Sequence, residues 1–357
     1  MDDGAGVGGP TSTPAPAGRR GFLRRHPVLV SAVVLLGLVV GVGVGVSQYV
    51  TSTLDGIERF QLSDLPDDRR PMAIDGAGDV NAVNLLLAGV DKGDGRSIEE
   101  IQAGGWDAGV LRTDTIMVLH LTADRERAYV ISVPRDSYVR LYDADGRPQG
   151  MDKINAAFSL FGPTAYLATV EHLTGLRMDH LAVVDWAGFE DITDALGGVE
   201  VSVAGSDTQE LDGEEALAYV RTRYGLPGGD FDRIDRQQSF LRAMLGTVLS
   251  RGTLTNPFTL TSTLQAVTGH LAVDDTFDTA EMRGLGLSLR GLGAGDVTYL
   301  TAPFGSFGTT AAGASIVRLD DGQSDRLWQA TAADQMARYV AEYGVESEVL
   351  PQPAQVN

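Results

Sequence analysis

Residues 82–90, AVNLLLAGV, are an uninterrupted apolar run that ends at Asp91. A short apolar run of this kind is typical of a strand buried on both faces of a sheet. Two more strands are predicted to follow it, TIMVLHL at 115–121 and AYVISV at 128–133. Charged residues stand at the ends of these strands, which is where α/β sheets commonly bind ligands. We therefore expect a ligand site at these strand ends.

Helix and strand patterns alternate along the rest of the chain. Further strands are predicted for LAVVDW (181–186), VEVSV (199–203) and DVTYL (296–300). One helical stretch is predicted to begin with Lys153 and Asn155. Further helices are predicted to cover 164–173, 188–196 and 325–343. Asp212 and Glu215 match a capping box that opens another helix. This alternation predicts an α/β fold built on a layered sheet.

The composition argues against several classes of function. The 357 residues carry a formal net charge of −20, whereas a nucleic-acid surface needs a basic stripe that neutralises phosphates. Without cysteine, neither disulfides nor thiolate metal sites are possible. The chain also lacks H-E-x-x-H, G-x-S-x-G and P-loop motifs, and His120, inside a strand pattern, is expected to be a core residue. The remaining Asp, Arg and Lys side chains suit phosphoryl chemistry with a hard divalent cation.

One segment concentrates basic side chains in this acidic chain, YVRTRYGLPGGDFDRIDRQQSF at 219–240. Its candidate anion-binding residues are Arg221, Arg223, Arg233, Arg236 and Gln237. Guanidinium groups bind phosphate or carboxylate in a bidentate manner, because their fixed N–H donors match two anionic oxygens. A helix over the second half would place Arg233, Arg236 and Gln237 on one face. Its apolar stripe would then pack on the core through Ile234, Leu241, Leu245 and Val248.

Two interpretations of this segment stay open. In the first, the loop at 225–229 lets the two Arg pairs converge on one anion. In the second, the Arg residues form a solvated ion network with Asp230, Asp232 and Asp235.

The N-terminal part predicts a membrane anchor. Residues 1–26 are expected to form a disordered cytoplasmic tail, and 27–46 a transmembrane helix. Twenty residues at about 1.5 Å each span about 30 Å, the thickness of the hydrocarbon core of a bilayer. A cleaved signal peptide is the alternative, but its apolar region is typically only about 7–15 residues long. Because four arginines precede the span and acidic residues follow it, the body is expected outside the cell membrane.

The other boundaries follow from these segments. Residues 47–80 are predicted to be an extracytoplasmic stalk, 81–345 the folded domain, and 346–357 a C-terminal tail. Glycines repeat at intervals of four within the span, which predicts close helix packing and a homodimer through the transmembrane helix.

Several motifs together resemble the LytR-CpsA-Psr family of bacterial envelope proteins. They are RTDTIMVLHL (112–121), ISVPRDSYV (131–139), DKINAAFSLFGP (152–163), VEHLTGLRMDHLAVVDWAGFEDITDALGGVEV (170–201) and LDGEEALAYVRTRYGLPGGDFDRIDRQQSFL (211–241). The resemblance implies a three-layer α/β/α domain with a central mixed sheet, preceded by a single N-terminal transmembrane helix. It also implies a phosphotransferase that moves a glycopolymer from a polyprenyl-pyrophosphate carrier to peptidoglycan through a phosphodiester bond. The Ala- and Gly-rich composition resembles members whose polymer is arabinogalactan.

The resemblance also implies roles for individual positions. Asp91 and Asp114 would hold Mg²⁺, with Mn²⁺ as the alternative, against the pyrophosphate. The pyrophosphate-binding residues would be Arg112, Arg135, Lys153, Arg221, Arg223, Arg233, Arg236 and Gln237. Asp114, Arg135 and Arg233 are the candidate catalytic residues. Asp114 is a candidate base, although a metal would share its charge. The polyprenyl tail is expected in an apolar pocket between sheet and helices.

The chain departs from the family pattern after Asp91. The family often continues there with a polar residue and Arg, whereas Lys92, Arg96 and an insertion-like EEIQAGGWDAG (99–109) follow in this chain. Which of the two basic residues takes the family's basic role stays open. Two other functions stay open as well, a polyprenyl-pyrophosphate hydrolase and a non-catalytic membrane-anchored regulator. The predicted cytoplasmic tail is too short for a helix-turn-helix domain, which argues against a transcriptional role.

Overall fold

A computed structural model describes most of the chain after residue 47. The described residues are 48–63, 65–72, 81–91, 95–109, 111–202, 208–222, 230–248 and 257–344. The chain divides into two units, Met1–Ser52 and Thr53–Asn357. The predicted span at 27–46 and the predicted tails at both ends lie outside the described residues. Within the described ranges, no helix has the length and apolar character needed to cross a membrane.

The second unit alternates strands and helices, as the sequence predicts. Its strands are β1 (Glu58–Phe60), β2 (Val83–Asp91), β3 (Arg112–Leu121), β4 (Ala128–Ser132), β5 (Tyr138–Tyr142), β6 (Pro148–Lys153), β7 (His180–Asp185), β8 (Val199–Ser202), β9 (Thr208–Leu211), β10 (Leu271–Asp274), β11 (Val297–Thr301), β12 (Phe304–Thr309) and β13 (Ser315–Leu319). Its α-helices are α1 (Ile98–Ala103), α2 (Asn155–Phe161), α3 (Pro163–Thr174), α4 (Trp186–Leu196), α5 (Gly213–Arg221), α6 (Asp230–Val248), α7 (Pro257–His270), α8 (Thr279–Ser288), α9 (Asp321–Ala332) and α10 (Met336–Tyr343).

The central sheet has seven strands in the order β1-β10-β7-β2-β3-β4-β11. Strands β2, β3 and β4 are successive antiparallel neighbours, while β7 joins β2 and β11 joins β4 in parallel. The expected central mixed sheet is therefore confirmed. Because of these directions, Asp91, Ser132, Asp185 and Thr301, the last residues of four strands, lie at the same edge as Arg112, the first residue of β3. We call this the upper edge.

Alternate strand residues face two different cores, because side chains of a strand point to opposite faces in turn. Leu86, Val118 and Ile131 belong to one buried cluster, which helices α1, α2, α3, α9 and α10 cover. The neighbouring residues Leu85, Met117 and Val130 belong to a second cluster, against which α6 and α8 pack. Helices thus cover both faces, and the sheet is the middle layer of three.

The expected stalk over 47–80 is wrong for the segment around β1. Residues Glu58–Phe60 pair in parallel with β10, and Phe60 is fully buried in the first core. Further along, the Arg70 guanidinium donates two hydrogen bonds to the Glu171 carboxylate of α3. Pairing and burial of this kind stabilise a segment within the fold, so the folded body begins before Asn81.

The expected continuous helix over 325–343 is also wrong. The structure has two helices, α9 and α10, separated at Asp334, whose φ of 52° is left-handed. The Asp334 carboxylate accepts hydrogen bonds from the Ala123 amide and the His120 ring at 3.0 Å each, and this anchoring competes with helix continuation. His120 itself is fully buried and also contacts Asn84, so its expected place as a core residue is confirmed.

Candidate active site

A β-bulge places Asp114 at the upper edge of the sheet. Gly89 pairs with Thr115 and Val90 with Thr113, so Asp114 is the extra residue of β3. Bulges are enriched beside active sites, because they re-aim a side chain that regular pairing would fix. Gly89 allows close approach of the two strands here, since a Cβ at this position would lie 3.0 Å from the Thr115 Cβ.

Arg135 reaches Asp114 from the neighbouring strand. It follows the carboxyl end of β4, and its Nη1 donates a hydrogen bond to Asp114 Oδ1. The two side chains are only 15% and 21% exposed. Opposite charges attract more strongly when they are shielded from water in this way. The pair is thus a fixed, half-buried guanidinium-carboxylate contact at the strand ends, where the sequence predicts charged residues but not this pairing.

A second ion pair lies beside the first. The Lys153 ammonium is 3.1 Å from Asp136 Oδ1, and both side chains are mostly buried. The backbone holds the two pairs together, because the Asn155 amide donates to the Arg135 carbonyl at 3.3 Å. Lys153 is the last residue of β6, so the expected helix begins only at Asn155. Two ion pairs, Arg135–Asp114 and Lys153–Asp136, therefore lie side by side at the upper edge.

Helix α6 approaches the same edge from the second face. Thr115 Oγ1 donates a hydrogen bond of 3.3 Å to Gln237 Oε1. The next residue, Gln238, is fully buried and donates through Nε2 to Ser132 Oγ and the Leu300 carbonyl at 2.8 Å each. These bonds fix the helix against β3, β4 and β11. The expected apolar stripe also packs as predicted for Leu241 and Leu245, and the Ile234 side chain lies outside the described residues.

The other basic residues of 219–240 are arranged differently from one another. The Arg236 guanidinium lies 4.9 Å from the ring centre of Tyr219 on α5, a cation–π contact. Burial raises the pKa of the Tyr219 hydroxyl, and the Arg236 charge partly opposes that shift. Arg221 is exposed at the end of α5. Arg223 lies outside the described residues, as does the side chain of Arg233, so the convergence of four guanidinium groups stays a prediction.

The predicted metal site has its backbone positions side by side. Asp91 pairs with Arg112 across β2 and β3, next to the bulge at Asp114. The Asp91 side chain lies outside the described residues. Across the ranges that are described, no group of three or more acidic or histidine side chains gathers as a cation cage. Two carboxylates fit Mg²⁺ as a partial donor set, because this ion is usually completed by phosphate oxygens and water.

Sequence reasoning missed Thr115 and Asp136 as members of the site. Each directly follows a predicted site residue, in Arg-Thr-Asp-Thr and Pro-Arg-Asp respectively. Thr115 hydrogen bonds to Gln237, and Asp136 pairs with Lys153. The signal was present in the motifs, but only the structure shows which neighbour each side chain contacts. Arg112, by contrast, is exposed at the start of β3.

The mixed sheet with a guanidinium-carboxylate pair at its upper edge belongs to a known class of protein. The model of the LytR_cpsA_psr family matches residues 50–333. The chain is therefore a member of the LytR-CpsA-Psr family, and the expected resemblance is confirmed.

Named relatives support the same placement. The chain is 42% identical over 238 residues to a probable cell wall biosynthesis protein, LcpB, of Corynebacterium glutamicum, covering 63% of this chain and 55% of that protein. The cell wall biosynthesis protein LcpA of the same organism is 32% identical over 362 residues, covering 88% of this chain and 68% of LcpA. The polyisoprenyl-teichoic acid–peptidoglycan teichoic acid transferase TagU of Enterococcus faecalis is 28% identical over 272 residues, covering 72% of this chain and 80% of TagU.

Solved structures show the same fold. The LytR-Csp2A-Psr enzyme from Actinomyces oris has a TM-score of 0.57 at 20% identity, covering 77% of this chain and 96% of that one. TagT bound to LIIa-WTA has the same TM-score of 0.57 at 21% identity, covering 78% of this chain and all of TagT.

Proposed function

We propose that this protein is a phosphotransferase that moves a glycopolymer from a polyprenyl-pyrophosphate carrier to peptidoglycan. The observation that carries the proposal is the half-buried Asp114–Arg135 pair at the β3 bulge. The name of TagU, a teichoic acid transferase acting between a polyisoprenyl carrier and peptidoglycan, supports this reaction class. The names of LcpA and LcpB, cell wall biosynthesis proteins, support the pathway.

The upper edge suits a pyrophosphate because its cations are held in place before the ligand arrives. Asp114 engages Nη1 of Arg135 and Nε is buried, so the phosphate oxygens would be bound through the remaining Nη N–H groups. Lys153, fixed by Asp136, adds a compact second charge. Fixed donors of this kind stabilise a transition state without reorganising during the reaction.

In the proposed reaction, a sugar hydroxyl of peptidoglycan attacks the phosphorus next to the glycopolymer. A new P–O bond forms to the acceptor, and the P–O bond to the bridging oxygen breaks. Polyprenyl monophosphate leaves with that oxygen, and the hydroxyl proton passes to solvent or a base. Arg135 would stabilise the charge that grows on the departing oxygens. Asp114 would orient Arg135 through their ion pair.

A divalent cation fits this arrangement. Asp91 and Asp114 would hold Mg²⁺, or Mn²⁺, which when bound shields the negative charge of the pyrophosphate. The two carboxylates would hold the ion weakly on their own. Removal of divalent ions is therefore expected to reduce transfer while leaving the fold unchanged.

The second face of the sheet is suited to the polyprenyl tail. Leu87 and Leu119 lie in the two central strands of the sheet, yet both remain only half-buried. Leu241 of α6 and Leu285 of α8 are half-buried above the same cluster. Burial of apolar surface stabilises a bound alkyl chain by about 25 cal/mol per Å². Thr115 and Gln237 join α6 to the upper edge. A polyprenyl tail bound on this face would therefore place its pyrophosphate at Arg135.

The location we propose follows from the segment before the fold. An uncleaved helix over 27–46 would hold the catalytic domain outside the cell membrane, where peptidoglycan is found. The polymer we propose is arabinogalactan, because the Ala- and Gly-rich composition resembles that of family members that carry this polymer. The transmembrane helix would also be the surface of any homodimer.

Substitution of Arg135 tests the proposal. Loss of the guanidinium contact to the bound pyrophosphate is expected to cost about 2–5 kcal/mol, or about 30-fold to several thousand-fold in transfer rate. Arg135→Lys should restore only part of the rate, because an ammonium lacks the planar fork. Arg147→Ala is the matched control, because the Arg147–Asp145 pair is 61% and 58% exposed. Transfer from a synthetic polyprenyl-pyrophosphate oligosaccharide to peptidoglycan would be measured. Near-normal transfer by Arg135→Ala, at unchanged melting temperature, would remove Arg135 from the site.

A further inference from the structure

The stretch at 99–109, which the sequence predicts to be insertion-like, forms one wall of a cleft. Residues 95–109 leave the upper edge after β2 and return to it at β3, with α1 and Trp106 between. The cleft has a volume of about 460 Å³ and lies between α1, the segment after β1, and the α2–α3 junction. Its lining includes Arg59, Gln61, Glu99, Trp106 and Phe161.

The walls of this cleft are held by specific contacts. The Gln102 side chain exchanges two hydrogen bonds with the backbone of Gln61, at 2.8 and 3.2 Å. Glu58 accepts a bond of 2.6 Å from the Ile98 amide at the start of α1. These bonds join α1 to the strand segment beside it. The insertion is thus a fixed wall.

Trp106 is positioned by a glycine. Its Nε1 donates to the Ser159 carbonyl at 3.2 Å, and its ring meets Phe158 edge-on at 5.6 Å. Gly162 has a φ of +87°, and a Cβ there would lie 3.2 Å from the indole Cδ2. Any larger residue would therefore displace the ring. Phe161 beside it is 38% exposed, so two aromatic rings line the cleft.

We propose that this cleft binds a saccharide, and the inference rests on the proposed function. Aromatic faces carry negative electrostatic potential, which suits the C–H face of a sugar ring. The charged residues that line the cleft are Arg59 and Glu99, so its charge is balanced and would not repel a sugar with or without a carboxylate. Helix α2 joins the cleft to the upper edge and is only seven residues long, about 10 Å. A glycan chain can cover that distance with a few sugar units.

The saccharide has two sources, the peptidoglycan acceptor and the polymer on the donor. The test uses full-length protein in detergent and titration calorimetry with two soluble probes. One is an oligomer of N-acetylglucosamine and N-acetylmuramic acid released from peptidoglycan, and the other is a phosphate-free oligogalactofuranoside. Binding of the first assigns the cleft to the acceptor, and binding of the second assigns it to the polymer. Wild-type protein that binds neither probe would overturn the inference.

Two matched variants locate the binding. Ala103 is exposed and lines the cleft, so Ala103→Trp fills it without removing a core contact. Ala108 is exposed in the same insertion and is not among the lining residues, so Ala108→Trp is the control. Ala103→Trp should weaken binding by at least about tenfold, and Ala108→Trp should leave it unchanged. Equal binding by Ala103→Trp and wild type would overturn the assignment.

The outcome is separable from that of the proposed function, because no donor lipid is present in the titration. Arg135→Ala, expected to lose transfer, should bind the saccharide as wild type does. Wild-type protein that binds the saccharide but transfers nothing would refute the proposed function and leave the cleft standing. Transfer with normal rate in Ala103→Trp, together with unchanged binding, would refute the cleft alone.

Discussion

The ion pair between Arg70 and Glu171 is the sharpest test of the corrected boundary of the folded domain. Arg70 Nη2 donates to Glu171 Oε1 at 2.6 Å, and Nε donates to Oε2 at 3.1 Å. The Glu171 side chain is fully buried, while that of Arg70 is 18% exposed. The Met178 amide is a further donor to Glu171, at 2.9 Å. Arg70→Ala would leave this buried carboxylate without its cation.

The expected loss is large. Breaking a buried pair by removing one partner costs about 3–5 kcal/mol, because an uncompensated charge stays behind. For domains of roughly 150–250 residues, 1 kcal/mol shifts the melting temperature by about 2–4 °C. The unit Thr53–Asn357 is longer, so the lower slope applies. Arg70→Ala should therefore lower the melting temperature of the full-length protein by about 6–10 °C in circular dichroism.

Two further variants make this result interpretable. Arg177→Ala is the control, because its partner Asp67 is 82% exposed and such pairs contribute only about 0–1 kcal/mol. The double variant Arg70→Met with Glu171→Leu should recover most of the loss, since no buried charge is left unpaired. If Arg70→Ala melted at the same temperature as wild type, the segment that contains Arg70 would be a stalk and not part of the folded domain.

The remaining predictions concern pH and packing. Burial lowers the pKa of His180, but its hydrogen bonds to Asp274 and Glu281 raise it more, so the net shift is upward. The stability that His180 contributes is complete below its unfolded pKa of about 6.5 and is lost as pH rises through the folded pKa. The difference in melting temperature between wild type and His180→Gln should therefore become smaller as pH rises through that range. A difference that grows with pH would contradict the upward shift of the pKa. Gly188→Ala places a Cβ 2.0 Å from the His270 Cβ, at the end of α7. It should lower the free energy of unfolding by about 1–3 kcal/mol or more in chemical denaturation. Gly284→Ala, with open space around it, should not destabilise.

Apolar patterning predicts the central strands and helices of this fold, because their patterns lie within short stretches of sequence. The run 82–90 became β2, and the capping box of Asp212 and Glu215 is present at the start of α5. The strand β1 could not be predicted in this way, because three residues are too few to show a hydrophobic pattern. They also pair with β10, which lies far along the chain. The break at Asp334 was missed for a similar reason, since it depends on contacts with His120.

The candidate site was predictable as a set of residues but not as an arrangement. The motifs point to Asp114, Arg135 and Lys153, and the structure brings all three to the upper edge. The bulge that aims Asp114 depends on the register between β2 and β3, which no single motif encodes. The contact of Arg236 with Tyr219 likewise depends on how α5 and α6 pack against each other. The motif therefore predicted phosphate binding by Arg236 but not its contact with the Tyr219 ring.

The most direct measurement of the central claim is the fate of the donor's phosphorus. Full-length protein would be incubated with a synthetic polyprenyl-pyrophosphate oligosaccharide, Mg²⁺ and peptidoglycan, and the products followed by phosphorus NMR and mass spectrometry. A transferase yields a phosphodiester between oligosaccharide and peptidoglycan, with one polyprenyl monophosphate released per linkage. Oligosaccharide released as a free phosphate monoester, with peptidoglycan unlinked, would instead identify a hydrolase. An unchanged donor would contradict catalysis altogether.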